Sequence, residues 1–415
     1  MIKFVPGDVS IKKIEITNPR ISAGVSIYEQ VEGLDIWEDM EKPTLYATLL
    51  IQDSIGLFYD FPIIGEEDIE IVFQTPGLPL VTYNFKVFEI QNVTKSKEHT
   101  TLFYTLRCVS KEHFYNSASM VTQSYTGNIS DIVPQVLSRY LKSQKDIIVD
   151  QTKGIQNIVV PRLAPFELID MCRQRAVSAL YPSSSYVFFE HQKGFVFKTV
   201  EGLIEQGKDN IGTRVFNVNQ SSFINTMEKN GETLWRTLLG YEHIVNTNSL
   251  AQLVAGTYKS ITKTFDVITK QVGTIEYNLQ EHYDKFKKLD SKNRIPNTNE
   301  FIQELATKQP IQFFTPYSSS LPETFIKNTI SARNSFTHLL NTDITRMKIH
   351  GDSGLKAGDV IAVNMPQVDG LAGSFETDNI VDTKYLIVRL RHMINCGIKP
   401  RHEIVCDAVK MGLNL

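Results

Sequence analysis

The chain is predicted to be α+β and mainly β: two antiparallel β-domains, a smaller α+β unit between them, and a polar insertion in the second. Three observations predict this. Runs of β-branched and aromatic residues recur every ten to fifteen residues or so through 1–113, and strand-like runs return after 207. Between these regions the apolar residues change to helical spacing. Residues 279–310 then turn polar before strand patterns resume. A chain of 415 residues is also too long for one core, so two to four domains are expected.

In the first region, 1–113, Ser10–Thr17 alternates, with Ile11, Ile14 and Ile16 set among Lys and Glu. TLYATLLIQ (44–52), IEIVFQ (69–74), TYNFKVFEI (82–90) and TTLFYTLRCV (100–109) continue the pattern, with turns between them. A small antiparallel barrel or sandwich follows from such a series. In 114–206, SDIVPQVLSRYL (130–141) predicts a helix with Ser130 as N-cap and Pro134 near its start. A second helix is expected over Pro165–Ser178, then a strand pair, Tyr186–Phe189 and Gly194–Thr199, around His191–Lys193.

The second β-domain is expected over 207–274 and 323–415. Its strands are Thr233–Asn246, Ile261–Ile268, Asp343–His350, Val360–Asn364, Tyr385–Met393 and His402–Val409, with a helix over Glu323–Leu340. The insertion, 275–322, carries a short helix near Glu281–Lys288 and a loop at Asp290–Asn299.

Composition narrows the function. Hydrophobic residues are 42% and charged residues 21%, with a net charge of −3, so no global basic field favours bulk nucleic-acid binding. No apolar run reaches the length of a membrane span, and Met1–Ser10 lacks a signal-peptide pattern. Cys108, Cys172, Cys396 and Cys406 are scattered, which suits free, buried thiols and synthesis in a reducing cytoplasm.

Catalytic signatures are absent: no HExxH, GxSxG, Walker loop or GxGxxG occurs. Glu38–Asp39 and Glu66–Glu67 are carboxylate pairs, but a glycosidase needs two carboxylates facing across a cleft, and Glu66–Glu67 follow a Pro-Ile-Ile-Gly turn of the kind found in solvated loops. No cofactor is expected. His392, Cys396, His402 and Cys406 have a spacing that resembles zinc ligation, yet the same residues suit the packed face of a hairpin. Ser183–Ser185 reads as a turn, and Lys285, Lys287 and Lys288 as a small basic helix face that solvent could cover. Trp37 and the apolar cluster Leu57, Phe58, Phe61, Ile63 and Ile64 divide evenly between two readings: a loop folded over its own domain, or a contact between protomers.

Four segments, in order along the chain, together resemble the baseplate central hub proteins of contractile-tailed phages, of the T-even type, and the hub part of VgrG-like spike proteins. In Val25–Glu66 the matching residues are Ile36, Trp37, Glu38, Asp39, Pro43, Asp53, Ser54, Pro62, Ile63, Ile64, Gly65 and Glu66. The others are Leu163–Leu203, Thr345–Pro366 with GLKAGDVIAVNMP, and the terminal pair KYLIVRLRHMI and RHEIVCDAVKM. The resemblance implies two tail-tube-like β-barrels per chain and a turn at Gly358–Asp359. It implies a homotrimer forming a pseudo-sixfold ring between the hexameric tail tube, or tube-initiator proteins, and a trimeric central spike. Tape-measure and surrounding baseplate wedge proteins are further implied partners. Such a protein is made late, assembles in the host cytoplasm and resides in the virion tail baseplate. A related alternative is the hub of a type VI secretion or other contractile injection system, although a chain stopping at Leu415 suits the unfused phage form. An alternative of another class is a tail-tip peptidoglycan hydrolase.

Overall fold

The structure is a computed structural model that describes residues 5–18, 23–61, 63–97, 100–209, 214–218, 235–246, 248–266, 269–289, 310–315, 323–341, 343–366 and 380–411. The loop expected at Asp290–Asn299 and the matched residue Pro62 lie outside these.

The first strands are β1 (Ser10–Asn18), β2 (Ala23–Ser26), β3 (Val31–Asp39), β4 (Tyr46–Asp53), β5 (Asp68–Gln74), β6 (Val81–Lys95) and β7 (Leu102–Val109). They pair antiparallel in the order β3-β4-β7-β6-β5-β1-β2. Strict alternation explains the arrangement. Ile14 and Ile16, Ile69, Ile71 and Phe73, Tyr83 and Phe85, and Tyr104 and Leu106 all turn inward, and the residues between them face out.

The α+β unit holds helices Lys111–Ala118, Ile129–Arg139 and Pro165–Arg175. The hairpin of β11 (Tyr186–His191) and β12 (Gly194–Thr199) is joined in parallel by β9 (Ile147–Val149). A smaller pair, β8 (Ser124–Gly127) with β10 (Gln156–Val159), lies apart from it. Ser130 is inside its helix rather than at the N-cap, which is Asn128. The Ser130 N–H finds its acceptor in Thr152 Oγ at 3.0 Å, so a tertiary contact replaces the expected cap.

The second β-domain is a closed barrel. It is built from β13 (Val215–Val218), β14 (Thr237–Asn246), β18 (Asp343–His350), β19 (Val360–Pro366), β20 (Ile380–Asn395) and β21 (Arg401–Lys410). The order β19-β13-β14-β18-β21-β20 returns to β19 through a further ladder. Its interior is filled by Met347, Ile349, Ile361, Tyr385, Ile387, Ile404 and Ala408 among others. Two of its ladders, β13 with β14 and β13 with β19, are parallel, a departure from the purely antiparallel expectation. Hairpin turns cannot make parallel neighbours, and β13 is separated from β14 and β19 by 18 and 141 residues of chain.

The strand expected at 261–268 is β15 (Lys259–Asp266). It sits outside the barrel, in a three-stranded sheet with β16 (Val272–Asn278) and β17 (Pro310–Thr315). The helix Glu323–Leu340 packs on this sheet. The start of the insertion is less polar in effect than in composition. Leu279 and Tyr283, one turn apart on a short helix, are buried together with Phe286 and Leu289 from the extended chain that follows it, and with Phe336.

β20 and β21 belong to both β-domains. The first half of β20 pairs with β19, and Arg389–Asn395 pairs with Asp39–Gly33 of β3. One continuous 13-stranded sheet therefore runs through both cores. The tip of the hairpin enters the first core with Ile394 and Cys396, and a bridge between Asp8 and Arg401 brings the start of the chain back onto β21.

Candidate assembly surface and its supporting junction

The apolar loop between β4 and β5 is held by two buried carboxylates. Asp53 accepts the N–H groups of Ile55 at 3.1 Å, Leu57 at 2.9 Å and Phe58 at 2.8 Å, which starts the helical turn Leu57–Asp60. Glu67 accepts those of Ile64 at 2.8 Å, Gly65 at 3.0 Å and Glu66 at 3.1 Å. Gly65, at a φ of 94°, bends the chain so that these donors converge. Glu67 is thus an internal anchor and not the solvated loop residue expected beside Glu66.

Held this way, the loop folds over its own domain. Leu57, Phe61 and Ile63 enter the first core, and Phe58 packs half-buried with its ring 5.3 Å from Tyr104. Ile55, Tyr59 and Ile64 remain exposed. Trp37 lies half-buried on the outer face of β3, under the Arg391 guanidinium 5.2 Å away. Of the five contact candidates, Phe61 and Ile63 are core, Trp37 and Phe58 are intermediate, and Ile64 is outward.

The His/Cys set separates. His392 Nδ1 and His402 Nε2 lie 3.0 Å apart, with both rings fully buried beside Phe73. Cys396 belongs to the first core and Cys406 to the interior of the closed barrel. Among the described residues no group of three or more His, Cys, Asp and Glu converges. Burial pushes His392 down to about 3 and His402 well below the ordinary histidine range, so both rings are neutral. One ring donates to the other, while His392 Nε2 and His402 Nδ1 have no hydrogen-bond partner among the described residues.

The main polar feature was missed by sequence reasoning. Glu38, fully buried, joins three parts of the molecule. Its Oε1 accepts the N–H of Gln192 at 2.9 Å, from the α+β hairpin, and the Tyr83 hydroxyl at 3.3 Å, from β6. Its Oε2 accepts the N–H of Ala357 at 2.9 Å, from the turn leading into the closed barrel. Burial pushes its carboxyl up to about 7. Two similar groups stand nearby. Glu190 accepts the Leu45 N–H at 3.1 Å and, with Glu112, flanks the Lys145 ammonium. Glu201 accepts from Ser183 and from the Lys287 N–H at 3.0 Å. The serine run is therefore a turn packed on a carboxylate. Two of the three insertion lysines are matched, Lys287 with Glu205 at 2.6 Å and Lys288 with Asp284 at 3.0 Å. The turn at Gly358–Asp359 is present, with Asp359 Oδ2 accepting the Lys356 N–H at 3.1 Å.

These carboxylates are spent on backbone donors from different segments, an arrangement that fixes domains against one another. A pattern of single acidic residues carries no signal of this, since their partners lie far away in sequence. No helix among the described residues is long and apolar enough to cross a membrane.

No family model matches the chain, and no curated protein matches it by sequence. Solved structures do. A tail protein from Neisseria meningitidis MC58 superposes with a TM-score of 0.57 at 9% identity, over 96% of each chain. The 43 kDa tail protein of prophage MuSo2 from Shewanella oneidensis gives 0.54 at 10% identity, over 96% of this chain and 98% of that one. At so few identical residues the likeness is one of fold, and it spans nearly the whole molecule. The chain thus shares its fold, from end to end, with these two tail proteins.

Proposed function

We propose that the chain is a structural hub of a phage-type tail, assembling as a homotrimer that adapts a hexameric tube to a trimeric spike. The observation that carries this is the continuous sheet. Two β-domains are joined rigidly through the shared β20–β21 hairpin and pinned by Glu38. A chain holding two such units in fixed relation can present six comparable edges from three copies, which resolves a threefold-to-sixfold mismatch. Rigidity matters because a hub transmits force between its neighbours. The described polar clusters act as clasps, which supports a mechanical role over hydrolysis of a cell wall.

Sedimentation of the purified chain, alone and with the spike protein of the same tail, tests the reading. A trimer, with rings of threefold or pseudo-sixfold symmetry in particle images, is expected. A chain that stays monomeric even with the spike overturns it. No clearing is expected in a zymogram on peptidoglycan, and clearing would favour an enzyme.

A further inference from the structure

The outer face of the sheet where β20, β3 and β4 adjoin carries a groove of about 1100 Å³, lined by Tyr28, Glu29, Glu32, Leu50, Met393 and Ile398 among others. Leu50 is 43% and Ile398 105% exposed, so the floor and lip are apolar and open to water. The charges around it are unevenly matched. Asp35 is held by Arg391, Glu403 by Lys348, and Arg401 by Asp8. Glu29 and Glu32 are exposed and make no ion pair among the described residues. Lys399 adjoins Ile398 in sequence but does not line the groove. The uncompensated charge of the lining is negative.

At the same end of the first β-domain, β6 and β7 run on as an arm. Leu102 and Phe103 of β7 pair with Asp53 and Gln52 of β4, and Gln52 also borders the groove. The β6–β7 register shifts between Gln91 and Thr94, with Asn92 at a φ of 55°, a bulge that bends the arm. Backbone bonding of Ser96 to Thr101 at 2.9 Å closes it. Val93 is 48% exposed, and Lys95 and Lys97 are exposed without an ion pair among the described residues. A hairpin that continues a sheet lies beside that sheet's own groove, not over it. An exposed aliphatic residue followed by two lysines without ion pairs thus lies in the same sheet as a groove whose exposed Leu50 and Ile398 stand with Glu29 and Glu32, also without ion pairs among the described residues.

We propose that the β6–β7 arm of one copy of this chain docks in the groove of a second copy, with Val93 against Leu50 and Ile398, and Lys95 and Lys97 against Glu29 and Glu32. This rests on the homotrimer reading. The contact joins two different patches, so repeating it by a threefold rotation closes a three-membered ring. Rim charges of this kind govern recognition between copies, and reversing their sign on one side replaces attraction with repulsion.

The test uses the full chain. The four native cysteines are buried, so a V93C/I398C variant places its reactive thiols at the proposed contact. Mild oxidation should give covalent oligomers on a non-reducing gel, and neither single variant should give a ladder. E29K/E32K and K95E/K97E should each weaken self-association by about tenfold or more, and the four changes combined should restore it. All positions are exposed, and thermal melting confirms that each variant folds. A wild-type oligomer whose mass is unchanged in both reversed variants, with no ladder from V93C/I398C, overturns the arm-in-groove contact and leaves the trimer standing. A wild-type chain that is monomeric at every concentration overturns both. Oligomers weakened by the reversals but neither restored by the combination nor crosslinked would mean that the groove takes a different basic segment, and this too overturns the proposal.

Discussion

Replacing Glu38 with alanine should loosen the joint between the β-domains. The substitution removes one acceptor pair and strands three donors: the N–H groups of Gln192 and Ala357 and the Tyr83 hydroxyl. A buried donor left unsatisfied costs about 1–3 kcal/mol, and water entering the vacated space recovers part of it, so a net loss of roughly 3–5 kcal/mol is expected. That is a large share of the stability of an ordinary domain, about 5–15 kcal/mol. The loss should also be uneven, because the three donors come from three different parts of the fold. Urea unfolding in a W235F background, followed both by tryptophan fluorescence from Trp37 in the first β-domain and by far-ultraviolet circular dichroism, should give coincident transitions for the parent and separated ones when E38A is added. A coincident transition shifted by less than about 0.5 kcal/mol, the range of ordinary surface substitutions, would refute the reasoning.

Glu38 also sets a pH trend: its carboxyl is raised from 4.5 to about 7, so its contribution is present below pH 4.5 and lost as pH rises toward 7. The difference is about 3 kcal/mol at roughly 1.4 kcal/mol per unit. E38Q should flatten that limb in urea titrations taken from pH 4.5 to 8. The histidine pair works in the opposite sense: His392 is lowered from 6.5 to about 3, so its contribution is present above pH 6.5 and is lost on acidification toward pH 3. H392L/H402L should reduce this acid sensitivity, and an unchanged acid midpoint would count against the buried pair as its source. A Cβ on Gly351 would lie 2.2 Å from His402 Cγ, so G351A should cost about 1–3 kcal/mol by overpacking, measured as a fall in Tm. In the apolar loop, I63A should cost about 2–5 kcal/mol, whereas I64S should leave the isolated chain within about 0.5 kcal/mol. A lower oligomer mass for I64S at unchanged Tm would place that side chain at a subunit contact.

Sequence alone determined five strands of the first β-domain and five of the closed barrel, but not β2, β3 or β13. Ile69, Ile71 and Phe73, or Tyr83 and Phe85, alternate with polar residues, and a period of two decides which face of a strand is buried whatever its partner is. The helix at Pro165 and the hairpin around Gln192–Lys193 were legible for the same reason, since caps and turns depend on near neighbours. The tertiary structure decided the rest. Periodicity does not say which strand lies beside which, so neither the parallel ladders of β13 nor the placing of β15 outside the barrel could be derived from it. The four His and Cys residues look alike along the chain, yet β20 and β21 run from one core into the other and carry Cys396 and Cys406 to different interiors. Glu38 shows the limit most plainly. As one half of the acidic pair Glu38–Asp39 it carries no mark of its role, and that role exists only because folding brings donors 154 and 319 residues away onto its two oxygens. Hydrogen-bond partners at such separations are set by the closure of the whole sheet, a global property that no local window of residues contains.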